Sequence, residues 1–397
     1  MNAHMKLAAP FVAALALAAC NAGGTSSLPG SPGQSTSMTQ SHRVPEWQAK
    51  GLARHVCGDV GPGEARCDAL LINNGKIQPD EPGWQPLDFQ TRYKLPITKG
   101  SGQIVAIVDG YDNPNAATDI ATYRTEYGLG TANFTKYNQK GQKSNYPTGN
   151  ANWGLEEDLD IEMVSASCPK CTIYLVEANT NSTKDLEAAE AEAVKLGAHI
   201  ISNSWGCPGS NACVNKKSFD HAGVLYLSSA GDDGYGTQAP AALASVVSVG
   251  GTVFSKNGSG VYSETVWDGT GSGCATGVAK PAWQHDSGCS SRTMNDVSAI
   301  AFQVSEYDSY GYGGWFTVGG TSVASPLVGG VFGLAANASK QDAGKKFWSL
   351  KKKALKKDLN DITSGSNGQC SGSYLCTGGV GYDGPTGWGT PKGIGAF

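Results

Sequence analysis

The sequence predicts an α/β protein with a doubly wound, mostly parallel sheet, helices on both faces and a buried central helix. Three observations favour this fold class. The 397 residues, of which 40% are hydrophobic, can bury a large core. From residue 102 onward, short apolar runs alternate with helical stretches, a pattern typical of right-handed crossovers. The stretch 323–336 is almost entirely small and apolar, which predicts a helix surrounded by the core.

The N-terminus has the pattern of an export signal. Lys6 leads into an apolar run at 7–19 that has no acidic residue and is too short to span a bilayer as a folded helix. Small residues then precede Cys20, which resembles the lipobox of bacterial lipoproteins. We therefore expect a signal peptide at 1–19 and an exported, outer-membrane-anchored lipoprotein, periplasmic or extracellular, held by a lipid on Cys20. The alternative is an ordinary signal peptide with an incidental cysteine.

The next two segments differ in composition. Residues 20–45 are rich in Ser, Gly, Thr and Pro, and this composition predicts a flexible tether. Residues 46–98 form a short cysteine-bearing segment, and 99–397 form the main domain. The length of the 46–98 segment leaves open whether it is a short propeptide or a retained part of the mature surface.

The cysteines predict local disulfides. Without Cys20, ten of the eleven cysteines remain, and they fall as close neighbours along the chain. In an oxidising compartment the simplest interpretation is five local bridges: Cys57/Cys67, Cys168/Cys171, Cys207/Cys213, Cys274/Cys289 and Cys370/Cys376. The Cys168–Cys171 spacing also fits a redox motif, but it follows a predicted helix instead of beginning one, so we interpret it as structural. A zinc site is the third alternative.

The main domain offers five apolar strands and one clear amphipathic helix. The helix covers 185–196, where Leu186, Ala189, Ala193 and Leu196 recur at helical spacing and Gly197 ends it. The predicted strands are 104–108, 173–176, 200–205, 224–227 and 246–249.

A serine motif opens the predicted central helix. Gly319 and Gly320 let the backbone approach closely, and Ser322 lies at the positive end of the helix dipole, where its N–H can point at a developing oxyanion. An N-terminal capping serine in a packed turn is the plain alternative. With Pro326 four residues on, the motif resembles the nucleophile site shared by subtilisins and sedolisins.

The base of such a serine is not a histidine in this chain. None of the six histidines lies between the first two strands, where a subtilisin carries its base on a helix. Asp109 ends the first strand as the subtilisin aspartate would, but it lacks that partner. Glu156 and Asp160 stand at the corresponding place, and a spacing of four puts both carboxylates on one face of a helix. Without Ser322, a solvated acidic helix turn would be the better interpretation.

Together these motifs resemble the sedolisin family of serine-carboxyl peptidases over nearly all of residues 100–397. The resemblance implies a subtilisin-like fold and an endopeptidase in which Ser322 attacks, Glu156 takes the proton and Asp160 adjusts the proton affinity of Glu156. It also implies that Asp232 supplies the oxyanion hole, which requires a protonated carboxyl. The neighbouring Asp233 fits an ordinary turn aspartate better.

A second constellation near the C-terminus resembles the sedolisin calcium site. Its ligands would be the carboxylates of Asp361 and Asp383 and the carbonyl oxygens of Ile362, Gly379 and Gly381, hard oxygen donors of the kind that calcium takes. An ordinary glycine-rich turn is the alternative.

The resemblance implies protein or peptide substrates and an acid pH range, and we expect a monomer. The net charge of −4 gives the chain no overall positive charge that would attract nucleic acid. Seven lysines between 345 and 357 would allow a membrane-surface or nucleic-acid patch, but a solvated helix face is the better interpretation. Two rival functions remain: a lipid-anchored binding or adhesion protein that has lost catalysis, and a subtilisin-type protease, which lacks its histidine.

Overall fold

The computed structural model describes residues 44–73 and 83–397, all of which belong to the compact unit Gln40–Phe397. The predicted signal peptide 1–19, Cys20 and the tether as far as residue 43 lie outside the described residues. Within the described ranges, no helix combines the length and the apolar character that a membrane span requires.

Eight α-helices are described in chain order by their bounds. They are α1 (Glu46–Ala49), α2 (Pro86–Tyr93), α3 (Ala116–Glu126), α4 (Ala151–Ser167), α5 (Thr183–Lys195), α6 (Thr321–Ala335), α7 (Lys345–Trp348) and α8 (Lys352–Asp358), counted over the described part of the chain.

The strands of the described residues follow in the same way. They are β1 (Ala53–His55), β2 (Arg66–Cys67), β3 (Leu70–Ile72), β4 (Ile104–Gly110), β5 (Asn133–Asn138), β6 (Thr172–Ala178), β7 (Ile200–Asn203), β8 (Trp205–Gly206), β9 (Leu225–Ser229), β10 (Val246–Lys256), β11 (Tyr262–Val266), β12 (Gly273–Ala279), β13 (Ser291–Met294), β14 (Val297–Ile300), β15 (Phe302–Asp308), β16 (Gly314–Gly319), β17 (Leu359–Asn360) and β18 (Thr390–Pro391).

The central sheet has the predicted doubly wound, mostly parallel topology. Its strands run in the order β11-β10-β9-β7-β4-β6-β5, and β14 pairs with β10 off this path. All neighbours are parallel except β10 and β11, which form an antiparallel edge. A parallel sheet needs helices on both faces, which explains why its inner strands β4, β7 and β9 lie almost entirely buried.

The predicted helices and strands are present with small shifts at their ends. The amphipathic helix predicted at 185–196 is α5, which begins at Thr183 because the Ser182 side chain accepts the N–H of Asp185 and caps it. The predicted apolar helix at 323–336 is α6, and its residues are buried from Thr321 to Leu334. The strand predicted at 200–205 is divided into β7 and β8 at Ser204.

Helices α4 and α6 pack directly against each other, and this contact positions the functional site. A Cβ atom on Gly330 of α6 would lie 2.0 Å from Ser167 Oγ of α4, so only glycine permits the helices to approach this closely. The approach places the acidic pair of α4 beside the first turn of α6.

The segment 46–98 shares a core with the main domain. Strands β1 and β3 join β16 and β15 in a four-stranded sheet, and Phe89 and Tyr93 of α2 lie in the main hydrophobic cluster. The predicted boundary at 98/99 therefore marks a change in sequence pattern between parts that pack together.

The five local disulfides predicted from cysteine spacing are confirmed. Bridges join Cys57–Cys67, Cys168–Cys171, Cys207–Cys213, Cys274–Cys289 and Cys370–Cys376. Cys168 and Cys171 lie between the end of α4 and the start of β6, as expected for a structural bridge.

Candidate active site

Ser322 lies in the first turn of α6, one residue after Thr321 begins the helix. Gly320 makes the turn from β16 into α6 with φ of +115°, a conformation that side chains with a Cβ atom rarely adopt. The Ser322 hydroxyl donates a hydrogen bond to the carbonyl oxygen of Ser204 at 3.3 Å. The serine is thus held at the junction of β7 and β8, and its side chain is fully buried.

Glu156 and Asp160 lie one turn apart on α4, as their spacing predicts, and both are fully buried. Burial raises the pKa of Glu156 well above its usual range, the Asp160 and Asp109 carboxyls raise it further, and the nearby Ser322 hydroxyl lowers it. Burial and Asp109 likewise raise the pKa of Asp160, which the Ser204 hydroxyl lowers. Because the three carboxyls repel one another in a dry site, they must share protons and titrate as a group.

Asp109 is the member of this group that the sequence analysis did not assign a role. It ends the apolar part of β4 and is fully buried, and burial raises its pKa to about 8. The signal that could have found it was its position at the end of the first strand, which we connected only with a histidine triad. The structure places it instead behind the acidic pair.

Asp232 lies in the turn after β9, beside the start of α6. Its Oδ1 accepts the Thr321 N–H at 2.7 Å and the Thr321 hydroxyl at 2.9 Å. Its Oδ2 is buried and accepts no hydrogen bond from any described group. Burial raises the pKa of Asp232 well above its usual range and the Asp68 carboxyl adds to this, although the Thr321 hydrogen bonds oppose it. A protonated Oδ2 would therefore be available to donate.

The neighbouring Asp233 behaves in the opposite way. Burial acts to raise its pKa, but the His55 hydrogen bond and the Arg66 charge outweigh burial and lower the pKa to about 2. His55 Nε2 lies 2.9 Å from Asp233 Oδ1, and Arg66 forms an ion pair with the other oxygen. Adjacent carboxyls thus have opposite protonation, because only Asp233 has cationic partners. It is an ion-pair residue at the rim, where the sequence predicted a turn aspartate.

Trp205 packs beneath the site. Its indole N–H donates to the Val108 carbonyl oxygen at 2.9 Å, next to Asp109, and its ring packs against Phe219. Trp205 is fully buried, so its contacts in this structure are with the core.

The four predicted site residues come together at one end of the central sheet, although they belong to different elements. Glu156 and Asp160 lie on α4, Ser322 on α6 and Asp232 in the turn after β9.

One further buried carboxyl, that of Asp68, lies among them and was not predicted from the sequence. Asp68 comes from the 46–98 segment, and its charge raises the pKa of both Glu156 and Asp232. Burial raises the pKa of Asp68 itself to about 7.

The predicted calcium ligands also come together. Both carboxylate oxygens of Asp361 accept the Gly381 N–H, at 3.0 and 3.1 Å. Asp383 accepts the N–H groups of Gly379 and Thr386, each at 2.9 Å. Burial raises the pKa of Asp383 to about 7, and the Asp361 charge contributes.

These residues fit calcium by the chemistry of their donors. The carboxylates of Asp361 and Asp383 repel each other, and a hard cation between them would relieve that repulsion.

A second acidic cluster was not predicted from the sequence. Oxygens of Asp119, Asp158 and Asp308, on α3, α4 and β15, lie within 4.8 Å of one another. These three already accept hydrogen bonds from Ser309, Asn113 and Gly311 respectively.

The C-terminal lysines lie on and around α7 and α8. All except the half-buried Lys346 are exposed. This arrangement agrees with a solvated face, the interpretation preferred from the sequence.

Residues 130–367 match the profile of the subtilase family. Among curated proteins, the chain is 30% identical over 354 residues to kumamolisin from Bacillus sp. (strain MN-32), covering 78% of this chain and 62% of that protein. It is 26% identical over 352 residues to sedolisin from Pseudomonas sp. (strain 101), covering 78% and 60%. The chain thus spans about six tenths of the length of these two relatives.

Solved structures of proteases also match this chain. Pseudomonas sedolisin, a serine-carboxyl proteinase complexed with two molecules of pseudo-iodotyrostatin, superimposes with a TM-score of 0.68 at 26% identity. The match covers 79% of this chain and 96% of that one. A psychrophilic protease, S41, matches at 17% identity with a TM-score of 0.53, covering 80% of this chain and 99% of that one, and this similarity shows the fold alone.

Proposed function

The chain belongs to the subtilase family and its curated relatives are sedolisins, and from this and the site we propose that it is a serine-carboxyl endopeptidase that hydrolyses proteins at acid pH. The observation that carries the proposal is the meeting of Ser322, Glu156 and Asp232 in one buried site. No histidine lies in that group, so the base is a carboxylate.

In the attack step, the Ser322 hydroxyl loses its proton to Glu156 as its oxygen bonds to the substrate carbonyl carbon. Glu156 then gives the proton to the leaving amine, which releases the first product and leaves an acyl-enzyme. Water hydrolyses the acyl group, again with Glu156 as base. Asp160 and Asp109 act through Glu156, because their charges set how strongly Glu156 holds its proton.

Asp232 stabilises the negative charge that develops on the substrate oxygen. Its Oδ1 is fixed by two hydrogen bonds from Thr321, and its Oδ2 lies beside Gly320, where a Cβ atom would come within 2.7 Å of it. A neutral carboxyl donates a hydrogen bond and a carboxylate repels an oxyanion, so Asp232 works only while it is protonated.

A bell-shaped pH profile follows from these two requirements. Burial raises the pKa of Asp232 well above its usual range, so its proton stays bound in weakly acidic solution and is lost as the pH rises. The three carboxyls of Glu156, Asp160 and Asp109 titrate together, and this cluster must lose one proton before Glu156 can act as base. Activity is therefore confined between these two titrations.

We further propose a calcium ion held by Asp361, Asp383 and the carbonyl oxygens of Ile362, Gly379 and Gly381. Calcium there would tie the 379–386 turn to the residues after β17 and so stabilise the fold, without taking part in the reaction.

The enzyme is proposed to work outside the cytoplasm as a monomer on protein or peptide substrates, anchored by a lipid on Cys20. The five local disulfides support an oxidising compartment.

The test is to incubate the purified protein with an unfolded protein at acid and at neutral pH and to identify the new peptide termini by mass spectrometry. New termini at acid pH with wild type but not with Ser322→Ala are expected. Cleavage by both proteins, or by neither, would contradict the proposal.

A further inference from the structure

Residues 64–68 of the N-terminal segment lie beside Ser322 as an extended strand. Strand β2 pairs antiparallel with β8 on one side. On the other side, the Ala65 N–H donates to the Asn181 carbonyl oxygen at 2.9 Å, and the Asn181 side-chain amide donates to the Ala65 carbonyl oxygen at 2.9 Å. Peptides that bind at the edge of a sheet are held by backbone hydrogen bonds of this kind. The segment therefore shows how the cleft holds an extended peptide.

Asp68 occupies the position of the residue whose carbonyl group the serine attacks. Its N–H donates to the Ser204 carbonyl oxygen at 3.0 Å, and the same oxygen accepts the Ser322 hydroxyl. Its own carbonyl oxygen lies beside Gly320, where a Cβ atom would come within 2.0 Å of it and within 2.7 Å of Asp232 Oδ2. The Asp68 carbonyl is thus next to the carboxyl proposed to stabilise the oxyanion.

The Asp68 side chain marks the pocket for the side chain of that residue. Its Oδ2 accepts hydrogen bonds from the Ser229 hydroxyl and from the Gln238 amide, each at 2.6 Å. All three side chains are buried. Asp68 Oδ1 has no hydrogen-bond partner among the described residues. The pocket therefore recognises a single acceptor oxygen, carried on the γ carbon of the bound residue.

Ser229 and Gln238 both belong to the main domain, and main-chain pairing holds each of them in place. Ser229 is the last residue of β9, which lies between β7 and β10 in the central sheet. Gln238 precedes Ala239, which forms an antiparallel bridge with Cys207 just after β8. The two donors are therefore part of the fold and face any peptide that lies along β8 as the segment does.

Two glycines make room for the Gln238 amide. A Cβ atom on Gly206 would lie 2.2 Å from Gln238 Nε2, and one on Gly231 would lie 2.9 Å from Gln238 Cδ. Gly206 ends β8, and Gly231 directly precedes Asp232. The amide thus lies between the strand that pairs with the peptide and the turn that carries the oxyanion carboxyl, which fixes its position relative to both.

The hydrogen-bonding character of this pocket determines which side chains fit. Leucine branches at the γ carbon as aspartate and asparagine do, but it would leave the Ser229 hydroxyl and the Gln238 amide buried without an acceptor. A site that hydrogen-bonds its substrate rejects an analogue without the bonding group far more strongly than an apolar pocket rejects a poor fit. Aspartate and asparagine each supply the required oxygen.

Both of these side chains are neutral in the pocket at acid pH. Burial raises the pKa of Asp68 to about 7, although the hydrogen bonds from Ser229 and Gln238 and the Arg66 charge act against it. A carboxyl group that keeps its proton needs no cation beside it, and it has the same planar shape as a carboxamide. The pocket should therefore accept aspartate and asparagine alike.

We infer that Ser229 and Gln238 form the specificity pocket of the enzyme and that it cuts proteins after aspartate or asparagine residues. The inference rests on the proposed function and names the substrate class of that site. It makes the residue that supplies the attacked carbonyl the main determinant of where a protein is cut.

The first test compares peptides that differ only at the residue whose carbonyl is attacked, with wild type at acid pH. Peptides with aspartate or asparagine there should have a kcat/KM at least about 10²-fold above that of the leucine peptide. In the digest of an unfolded protein, most new C-termini should be one of these two residues. Leucine cleaved as fast as aspartate, or termini spread over other residues, would overturn the inference and leave the proposed function standing. Absence of any cleavage would contradict the proposed function and the inference with it.

Variants of the two donors test the pocket itself. Gln238→Met keeps an unbranched chain of similar length and removes the amide, and Ser229→Ala removes the hydroxyl. Each should lower the ratio of kcat/KM for the aspartate peptide to that for the leucine peptide by about tenfold or more. Partial unfolding lowers both rates equally, so it cannot change this ratio.

The neighbouring serine on β9 supplies a matched control. The Ser228 hydroxyl donates to the Ser229 carbonyl oxygen at 3.3 Å, so Ser228→Ala removes a buried hydroxyl without removing a donor of the pocket. This variant should keep the wild-type ratio. Wild-type ratios in both Gln238→Met and Ser229→Ala would mean that these side chains do not select the substrate.

Discussion

The Ser322 hydroxyl donates to the carbonyl oxygen of Ser204 at 3.3 Å, and this oxygen also accepts the N–H of Asp68. The proton of the nucleophile therefore points at Ser204, between β7 and β8, and it must turn toward Glu156 for attack. Neither oxygen of Glu156 accepts a hydrogen bond from any described group, so both can receive that proton. The resting site thus holds its serine on the Ser204 carbonyl oxygen and leaves its base without a partner.

Ser322→Ala should lower kcat/KM on an unfolded protein by on the order of 10⁴-fold or more, since the attacking oxygen is removed. Ser325→Ala is the matched control. Ser325 lies one turn further along α6, and its hydroxyl hydrogen-bonds with the Ser202 hydroxyl at 2.8 Å. Initial rates at acid pH should be lost in the first variant and retained in the second. An equal loss in both would indicate a packing effect.

Glu156→Gln should lower kcat by about 10²- to 10⁴-fold, because an amide cannot accept the serine proton. Glu157→Gln, the next residue on α4 and equally buried, is its control. Burial and Glu177 raise the pKa of Glu157, so its carboxyl group is neutral at acid pH and an amide replaces it without changing the charge. Comparable kcat values for the two variants would contradict the assignment of Glu156.

The spacing of Glu156 and Asp160 was enough to predict that they share a helix face, because helical periodicity is local. Their burial was not predictable in this way. An acidic stretch that includes Glu157 and Asp158 is expected to be solvated until α3, α6, β6 and β15 pack around α4, and none of those contacts is local in sequence. Asp232 was found through its turn motif, since such turns are local as well.

Asp68 shows what sequence patterns miss. Its place beside Ser322 depends on two strand pairings, β2 with β8 and β3 with β16, that join parts of the chain far apart in sequence. Short strands of two or three residues carry no periodicity. The 46–98 segment was therefore recognised by its cysteines, and its position across the cleft became visible only in the fold.

The pH profile has an acid arm, set by the Glu156 cluster, and an arm at higher pH, set by Asp232. Asp232→Asn should change only the second of these. In wild type, activity falls as the pH rises through the raised pKa of Asp232, because the carboxyl then loses the proton it donates. Asn donates without that proton, so the variant should keep its remaining activity at higher pH. Asp233→Asn should keep that arm but move it to lower pH, because the Asp233 charge contributes to the raised pKa of Asp232. A wild-type rate that climbs past neutrality would contradict a carboxyl oxyanion donor.

Removing calcium should lower the thermal midpoint first and activity only as the protein unfolds. A ligand that binds the native state alone stabilises it by about 2.7 kcal/mol at a free concentration of about 100 Kd. Asp383→Asn should reproduce the effect of a chelator, while Asp342→Asn on the exposed surface should melt like wild type. Calorimetry with and without chelator checks this, and identical midpoints for wild type would contradict the site.

Stability should also depend on pH through carboxyls that do not take part in catalysis. Glu162 on α4 and Glu306 on β15 are fully buried and lie near each other. Burial raises the pKa of Glu306 well above its usual range, and Asp308, Asp158, Asp160 and Asp119 raise it further. Neither oxygen of Glu306 has a hydrogen-bond partner among the described residues, so its charged form has no compensation.

A carboxyl whose pKa is raised in the folded state stabilises the fold fully below its unfolded pKa and loses that contribution as the pH rises toward the folded value. Each such group lowers the free energy of unfolding by about 1.4 kcal/mol for every pH unit in this window, which for glutamate opens near pH ~4.3.

Urea unfolding in a Ser322→Ala background, which prevents self-digestion, should therefore show a protein that is more stable at acid than at neutral pH. Glu306→Gln should make that decline shallower, because the amide never ionises, whereas Glu126→Gln on the exposed face of α3 should leave the slope unchanged. If the unfolding free energy rises from acid to neutral pH, the buried carboxyls are paired in a way this structure does not contain.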